Sequence, residues 1–476
     1  MKTEKQVVVI GGGPAGLVAT YDLSKRKIPV VCLEADHVPG GISRTIEYKG
    51  FRFDVGGHRF FSKIQAINDL WQEVLGDEFL RRSRVSRIYY NGRFFHYPLQ
   101  PMNALLGLSF LCSAQILGSY LKAAMFPASE ETTFEQWVTN RFGSKLYNAF
   151  FKTYTEKVWG IPCTRIRAKW AAQRIKGLSL WTAVADALFK QQLKQQQVIK
   201  TLINEFNYPR LGPGQMYETM AHKAEKLGGE IRFGHRVTEI RHDKGRITGV
   251  WVAGGNSATV QYGTDFISTM PVTELILRLR PEPPKKVIDA ARGLTYRSLL
   301  TINLLMNRRE TLPDTWIYVH DPSVKMGRIQ CFANWSPYMV PDKNHSSMGL
   351  EYFCWEQDEF WSMPDHELIA LGKTEIGRLG LVEPDAVFDG FVVRMPKCYP
   401  VYDEAYETRL ETIGSFLTGF DNLQLCGRYG LFKYNNMDHS MLTALLAVEN
   451  ILGANHDVWS INADDEYHEE VRNIID

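Results

Sequence analysis

The stretch QVVVIGGGPAGLVATYDLSKRKIPVVCLE, residues 6–34, decides the fold. A short β-branched run is followed at once by Gly11, Gly13 and Gly16 in G-x-G-x-x-G spacing, with Pro14 and Ala15 opening a helical pattern. Gly11 permits the tight turn, Gly13 lets the main chain approach a pyrophosphate, and Gly16 lets the helix lie close on the strand. The helix start offers free N–H groups and a positive dipole end to phosphates. A second run, IPVVCLE, ends at Glu34, 23 residues after Gly11, where a carboxylate can accept hydrogen bonds from an adenosine ribose. A glycine triplet alone is a weak signal. Strand, glycines, helix, strand and acid in order predict a Rossmann-type dinucleotide half-site.

Two further glycine pairs follow: Gly40-Gly41, leading to Arg44, and Gly56-Gly57, leading to His58. They let the chain pass close to a large extended ligand. This arrangement resembles the FAD-binding pattern of the superfamily containing amine oxidases, protoporphyrinogen oxidase and UDP-galactopyranose mutase. The resemblance implies FAD, with Gly40, Gly41, Arg44, Gly56, Gly57 and His58 along it. It also implies that Val237 in GHRVTEI lies near adenine and that DFISTMP, 265–271, returns to the dinucleotide site. Gly427 and Arg428 in LQLCGRYG precede a helix starting near Met437-Asp438, whose N-terminus would face the flavin pyrimidine edge. A turn at 208–220, YPRLGPGQMYETM, re-enters the cofactor domain, with Gly212 and Gly214 as flavin neighbours and a helix starting near Gln215.

A long helical insertion, about 100–205, carries Tyr154-Thr155-Glu156-Lys157-Val158-Trp159-Gly160 and then Arg174. Leu294-Thr295-Tyr296-Arg297-Ser298-Leu299 and the run Gly427–Asp438, with Tyr434 and Asn436, complete a pattern similar to the UDP-galactopyranose mutase family. The resemblance implies a reduced-FAD pyranose/furanose mutase acting on a nucleotide sugar, with flavin N5 as nucleophile and no net redox change. Under it, Trp159 stacks on uracil, Arg174 and Arg297 fork onto the diphosphate, and Tyr154 and Tyr434 donate to the same oxygens. His58 would tune the flavin, and Lys157 receives no role. Taken singly, each of these residues reads more simply as a core aromatic, a solvated charge or a structural histidine; only Arg297, mid-strand among apolar neighbours, calls for a partner by itself.

The pattern also departs from bacterial mutases. Asn436 stands where they carry an aspartate, and 315–341 lacks their pattern of substrate-binding tyrosine and histidines, with Tyr318 or Trp335 as candidate substitutes. A second reading is therefore an FAD-dependent oxidoreductase of amine oxidase, protoporphyrinogen oxidase or desaturase type. A flavin-retaining binding protein is a third, which no residue favours.

Composition narrows the partners. Lys+Arg 55 against Asp+Glu 53 leaves +2, too little for nucleic acid but compatible with a small anionic substrate. An external reductant such as NAD(P)H is implied, and the oligomeric state stays open. The seven cysteines show no metal or CxxC spacing, so they read as reduced thiols, most of them buried, of a cytoplasmic protein without a metal site. The start, MKTEKQVVVIGGG, has no signal-peptide core. The apolar stretch Leu105–Phe126 is interrupted by Ser109, Ser113, Gln115, Ser119 and Lys122, which favours a buried or groove-lining helix over a membrane-facing one. The expected architecture is α/β: a discontinuous FAD domain from 1–75, 210–275 and 410–460, a helical domain at 100–205, and a mixed β-sheet substrate domain from 80–99 and 276–409.

Overall fold

A computed structural model describes residues 5–97, 99, 103–104, 107–168, 205–254 and 257–461. At its centre lies a five-stranded sheet in the order Leu423–Leu425, Asp265–Ser268, Val7–Ile10, Val30–Leu33, Glu230–Arg232, parallel throughout. Val7–Ile10 and Val30–Leu33 are buried along their whole length, as an apolar run in a two-sided sheet must be. Alternation then sends their side chains to opposite layers. Val7, Val9, Val30 and Cys32 join a layer with helices Pro14–Lys25, Gln65–Leu75, Gly214–Lys226 and Met437–Ile451. Val8, Ile10, Val31 and Leu33 meet the sheet built on His235–Asp243 and Arg246–Gly254.

The second large unit is a seven-stranded mixed sheet, ordered Val387–Pro400, Tyr296–Met306, Ser346–Cys354, Arg328–Cys331, Trp316–Val319, Ser86–Tyr90, Arg93–His96. Tyr296–Met306 is buried at every position. Leu300, Ile302, Leu304 and Met306 pack under helix Asp365–Arg378, whereas Leu299 faces the layer shared with the inserted helices. Residues 276–294, expected with this sheet, pack instead with the cofactor half. Leu279–Arg280 pairs with His235–Asp243, and Val287, Ala290 and Ala291 of helix Lys285–Gly293 join the core beside that strand. Phe79–Ser83 likewise leaves the sheet and pairs with Glu205–Pro209.

The insertion begins with helices Phe110–Met125 and Phe134–Tyr147, the second opened by a reciprocal Thr133–Gln136 capping box. A π turn at Asn148–Lys152 leads into helix Thr153–Trp159, which ends at Gly160 in the left-handed region. The burial expected of 105–126 is not found. Only Ile116 and Ala123 of helix Phe110–Met125 are buried, while Phe110, Leu111, Leu121, Met125 and Phe126 are exposed. The helix touches its neighbour through one narrow stripe, and its serines, Gln115 and Lys122 do not define a single wet face. Among the described residues no helix is long and apolar enough to cross a membrane, and no cluster suited to a metal ion occurs. All seven cysteines are free, and six are buried.

One buried group ties the cofactor hairpin to the re-entry turn. The Asp54 carboxylate accepts hydrogen bonds from the Tyr208 hydroxyl at 2.6 Å and from Thr45 Oγ1 at 3.3 Å. Gly214 N–H in turn donates to Thr45 Oγ1 at 3.0 Å, and Gly212 packs on the same threonine. Burial pushes the Asp54 carboxyl up to about 8, outweighing both hydrogen bonds. The fold therefore holds a proton there that the unfolded chain releases from its ordinary value of 3.8 upward. That contribution to stability is complete at low pH and is lost as pH rises to about 8. Asp54→Asn should lose less melting temperature than wild type over this interval; parallel curves would contradict the assignment.

Candidate active site

The turn after Val7–Ile10 has no room for side chains. Gly11 adopts φ +102°, and a Cβ on Gly16 would lie 1.8 Å from the Gly11 carbonyl oxygen, so helix Pro14–Lys25 can approach the strand only through glycine. Pro14 opens that helix and Ala15 is buried in its first turn. Across a narrow gap, Gly41 faces Gly13, and Gly40 N–H donates to the Gly12 carbonyl at 2.9 Å. At the end of Val30–Leu33, Glu34 accepts from the Gly12 N–H and from Asp36 N–H at 2.7 Å. Burial raises its carboxyl, and the two amides oppose that shift. Arg44 pairs with Asp36 beside it. His235 N–H donates to the Glu34 carbonyl at 2.7 Å, which docks the strand bearing buried Val237 against this acid.

This cradle meets the needs of a dinucleotide: an open helix N-terminus, main chain bare of Cβ atoms, and a carboxylate held at the strand tip. Gly11, Gly13, Gly41 and Glu34 would hold the diphosphate and ribose ends of FAD.

The second glycine pair lies against the mixed sheet. A Cβ on Gly56 (φ +83°) would meet Leu299 and Glu351, and one on Gly57 would lie 2.9 Å from Gln330 Nε2. His58 Nδ1–H donates to the Gly56 carbonyl at 3.1 Å, which leaves Nε2 as an acceptor. Burial, assisted by Arg428 and Arg328, pushes the His58 imidazole down to about 4, so it is neutral at pH 7. On the opposite side, Gly427 (φ +78°) donates its N–H to Thr443 Oγ1 at 2.9 Å. Asn436 precedes helix Met437–Ile451 without a side-chain cap, Met437 is buried, and Asp438 in the first turn bonds His439 Nδ1 at 2.9 Å.

Beside this loop, side chains of the sheet and of the inserted helix gather into an aromatic cluster, the candidate substrate chamber. Tyr154 stacks on His320, with centroids 4.7 Å apart, and meets Tyr318 edge-on. Tyr399 and Tyr434 form the far wall, 5.5 Å apart. The Arg428 guanidinium lies over both rings, at 5.0 Å and 4.3 Å. Arg328 completes the set: Nη2 lies 2.6 Å from Glu351 Oε2 and donates to the Tyr399 hydroxyl at 2.7 Å. Glu351 Oε1 accepts from Gln330 Nε2 at 2.6 Å. Burial raises the Tyr154 hydroxyl well above its ordinary range. Arg328 is also held well above its own, because Glu351 and the surrounding tyrosine hydroxyls outweigh its desolvation. Among the described residues, the buried Nε atoms of Arg328 and Arg428 have no acceptor. Among the same residues, two guanidinium groups thus meet one carboxylate here.

Two residues expected at a substrate site are placed differently. Arg297 turns Nη2 to the carbonyls of Phe353 at 2.5 Å and Lys157 at 3.4 Å and Nε to the Val158 carbonyl at 3.4 Å, with the Trp355 ring at 4.6 Å. It clamps the end of helix Thr153–Trp159, and desolvation lowers its guanidinium to about 10. Trp159 is 4% exposed and packs beside Tyr402 and Tyr434, which leaves its faces to the core. Arg174 lies outside the described residues. The groups overlooked in the sequence are Arg328, Glu351 and Tyr399. Part of their signal was present, a glutamate inside the apolar strand Ser346–Cys354, which the structure sets opposite Arg328 in register.

A family model for flavin-containing amine oxidoreductases matches residues 14–452. The chain belongs to that family. It is an FAD-dependent enzyme of the amine oxidase superfamily. Among solved structures, reduced UDP-galactopyranose mutase superposes with a TM-score of 0.82 at 23% identity, over 97% of this chain and 98% of that one. A putative protoporphyrinogen oxidase from Exiguobacterium sp. 255-15 gives 0.69 at 16%, over 94% and 99%. Curated relatives include a 1-hydroxycarotenoid 3,4-desaturase from Flavobacterium sp. (strain P99-3), 22% identical over 53% of this chain and 54% of that protein. A carotenoid phi-ring synthase from Chlorobaculum tepidum is 22% identical over 63% and 47%. The matched region thus spans about half the length of these curated relatives. The fold expectation, α/β on a Rossmann-type FAD site, is borne out.

Glu34→Ala should weaken FAD binding by about ten- to a hundredfold, the loss expected for hydrogen bonds to a charged group. Reconstitution of apoprotein, followed by flavin fluorescence, checks it; unchanged affinity would remove Glu34 from the cofactor site.

Proposed function

We propose that the enzyme acts on an anionic nucleotide sugar, as a reduced-FAD-dependent mutase interconverting pyranose and furanose forms. The observation that carries this reading is the excess of guanidinium over carboxylate in the chamber beside the Gly56-Gly57 loop. A cationic amine would be repelled by Arg328 and Arg428, and an unsaturated hydrocarbon would leave their buried donors unsatisfied. A diphosphate offers charge-assisted acceptors to the planar guanidinium groups, whose buried Nε donors find none among the described residues. Tyr154 and Tyr434, with Tyr399 added, can donate hydroxyl hydrogen bonds to the same oxygens.

The diphosphate-binding role therefore passes from Arg297 to Arg328 and Arg428. FAD, when bound, supplies the nucleophile or electron acceptor of the reaction. The chain supplies the rest. Neutral His58 keeps an acceptor nitrogen beside the loop, Glu351 orients Arg328, and the tyrosine walls exclude water. Family membership keeps the oxidoreductase reading as the second candidate, acting on an anionic substrate.

Dithionite-reduced protein should interconvert UDP-galactopyranose and UDP-galactofuranose, while the oxidised form should not. Flavin bleaching by a substrate without added reductant, together with absence of isomerisation, would favour the oxidoreductase. Arg428→Ala should weaken UDP binding by about tenfold or more while FAD content is kept, since it removes charge-assisted bonds. Arg328→Ala is the less clean variant, because it would strand Glu351.

A further inference from the structure

The motif YTEKVWG carries a lysine that the chamber does not use. Lys157 stands one helical turn after Tyr154, on the same face. Its ammonium donates to three main-chain carbonyls: Val319 at 3.2 Å, Asp321 at 2.7 Å and Met326 at 3.0 Å. The first two flank His320, the residue on which Tyr154 stacks. The same turn is gripped through its amides by a buried carboxylate. Glu375 accepts from Lys325 N–H at 2.6 Å and Met326 N–H at 3.2 Å, and Tyr352 donates to it at 3.0 Å. Main chain 319–326 therefore has carbonyls committed to a buried cation and amides committed to a buried anion. It joins the strand bearing Tyr318 to the one that begins at Arg328.

We propose that Lys157 is a positioning residue, whose ammonium bolts the helix bearing Tyr154 to the hairpin bearing Tyr318 and Arg328. It thereby sets, from behind the chamber, the spacing of the groups that receive the diphosphate. All three ammonium hydrogens are used, so neither a shorter nor an uncharged side chain can reproduce the bolt. Arg297 holds the C-terminal end of the same helix through the carbonyls of Lys157 and Val158, and the Lys157 side chain adds a separate tie from that helix to the hairpin. The inference rests on the nucleotide-sugar reading only for the ligand used to test it.

Lys157→Met should keep FAD content and the flavin spectrum but weaken UDP binding by about ten- to a hundredfold, the scale of a displacement near one ångström. A lysine with a merely structural role would instead lower flavin retention and thermal stability with UDP affinity unchanged, and that result overturns the proposal. If the variant does not fold, the wild-type protein decides. Burial pushes the Lys157 ammonium down to about 8, while Glu375 and Asp321 support its charge. His320, which also faces it, is held down to about 3 and stays neutral, and Tyr352 is held protonated well above its ordinary range. UDP affinity should therefore fall reversibly as pH rises through about 8 with FAD retained; affinity that is flat across that pH overturns the bolt. Wild-type protein that binds no UDP contradicts the nucleotide reading alone. The bolt is then decided by hydrogen exchange in Lys157→Met, which must rise in 153–159 and 319–328 together and stay unchanged in 7–33.

Discussion

The cross-strand pair between Arg328 and Glu351 is the contact on which the catalytic half of the molecule depends. Glu351 is wholly buried, and among the described residues Arg328 and the Gln330 amide offset its removal from water. Breaking such a pair by deleting one partner costs about 3–5 kcal/mol, because the other charge is left buried alone. The pair sits where strands Ser346–Cys354 and Arg328–Cys331 pass the Gly56-Gly57 loop, so it bounds the cofactor site and the chamber at once. A glycine is needed at 56 because the backbone is left-handed there and Glu351 lies behind it. Cofactor geometry and substrate electrostatics are thus consequences of one buried interaction.

Around that pair, polar chemistry is organised in two shells. Facing inward are guanidinium groups and tyrosine hydroxyls whose burial keeps each in a single protonation state at neutral pH: tyrosines neutral, Arg328 charged, His58 neutral. Facing outward are buried polar groups, charged except for Asp54, that hold the surrounding chain. Lys157 and Glu375 brace the hairpin, Arg297 caps the inserted helix, and Asp54 pins the re-entry turn. Such groups raise the cost of disorder in the walls, which is how a pocket built from loops and strand ends stays preorganised.

The dinucleotide half was legible because its signals are local. Five residues of strand, a three-glycine turn and a ribose-binding acid act within thirty residues, and nearby backbone sterics dictate each of them. The chamber was less legible. Tyr296–Met306 is buried on both faces, so alternation could not tell which way Arg297 points, and two of the carbonyls it meets belong to a segment some 140 residues away. Trp159 sits in a motif that suggests a stacking platform, yet its exposure is set by Tyr402 and Tyr434 from the far end of the chain. Helix Phe110–Met125 shows the reverse error. Its apolar content implied burial, but a helix is covered only where another element reaches it.

The central claim is that the surplus guanidinium charge beside the flavin loop receives a pyrophosphoryl group. A crystal structure of the dithionite-reduced protein with UDP tests it most directly. The account predicts diphosphate oxygens within hydrogen-bond distance of Arg328 and Arg428, with tyrosine hydroxyls completing their coordination. A nucleotide bound elsewhere, or a chamber that saturating UDP fails to enter, would contradict it.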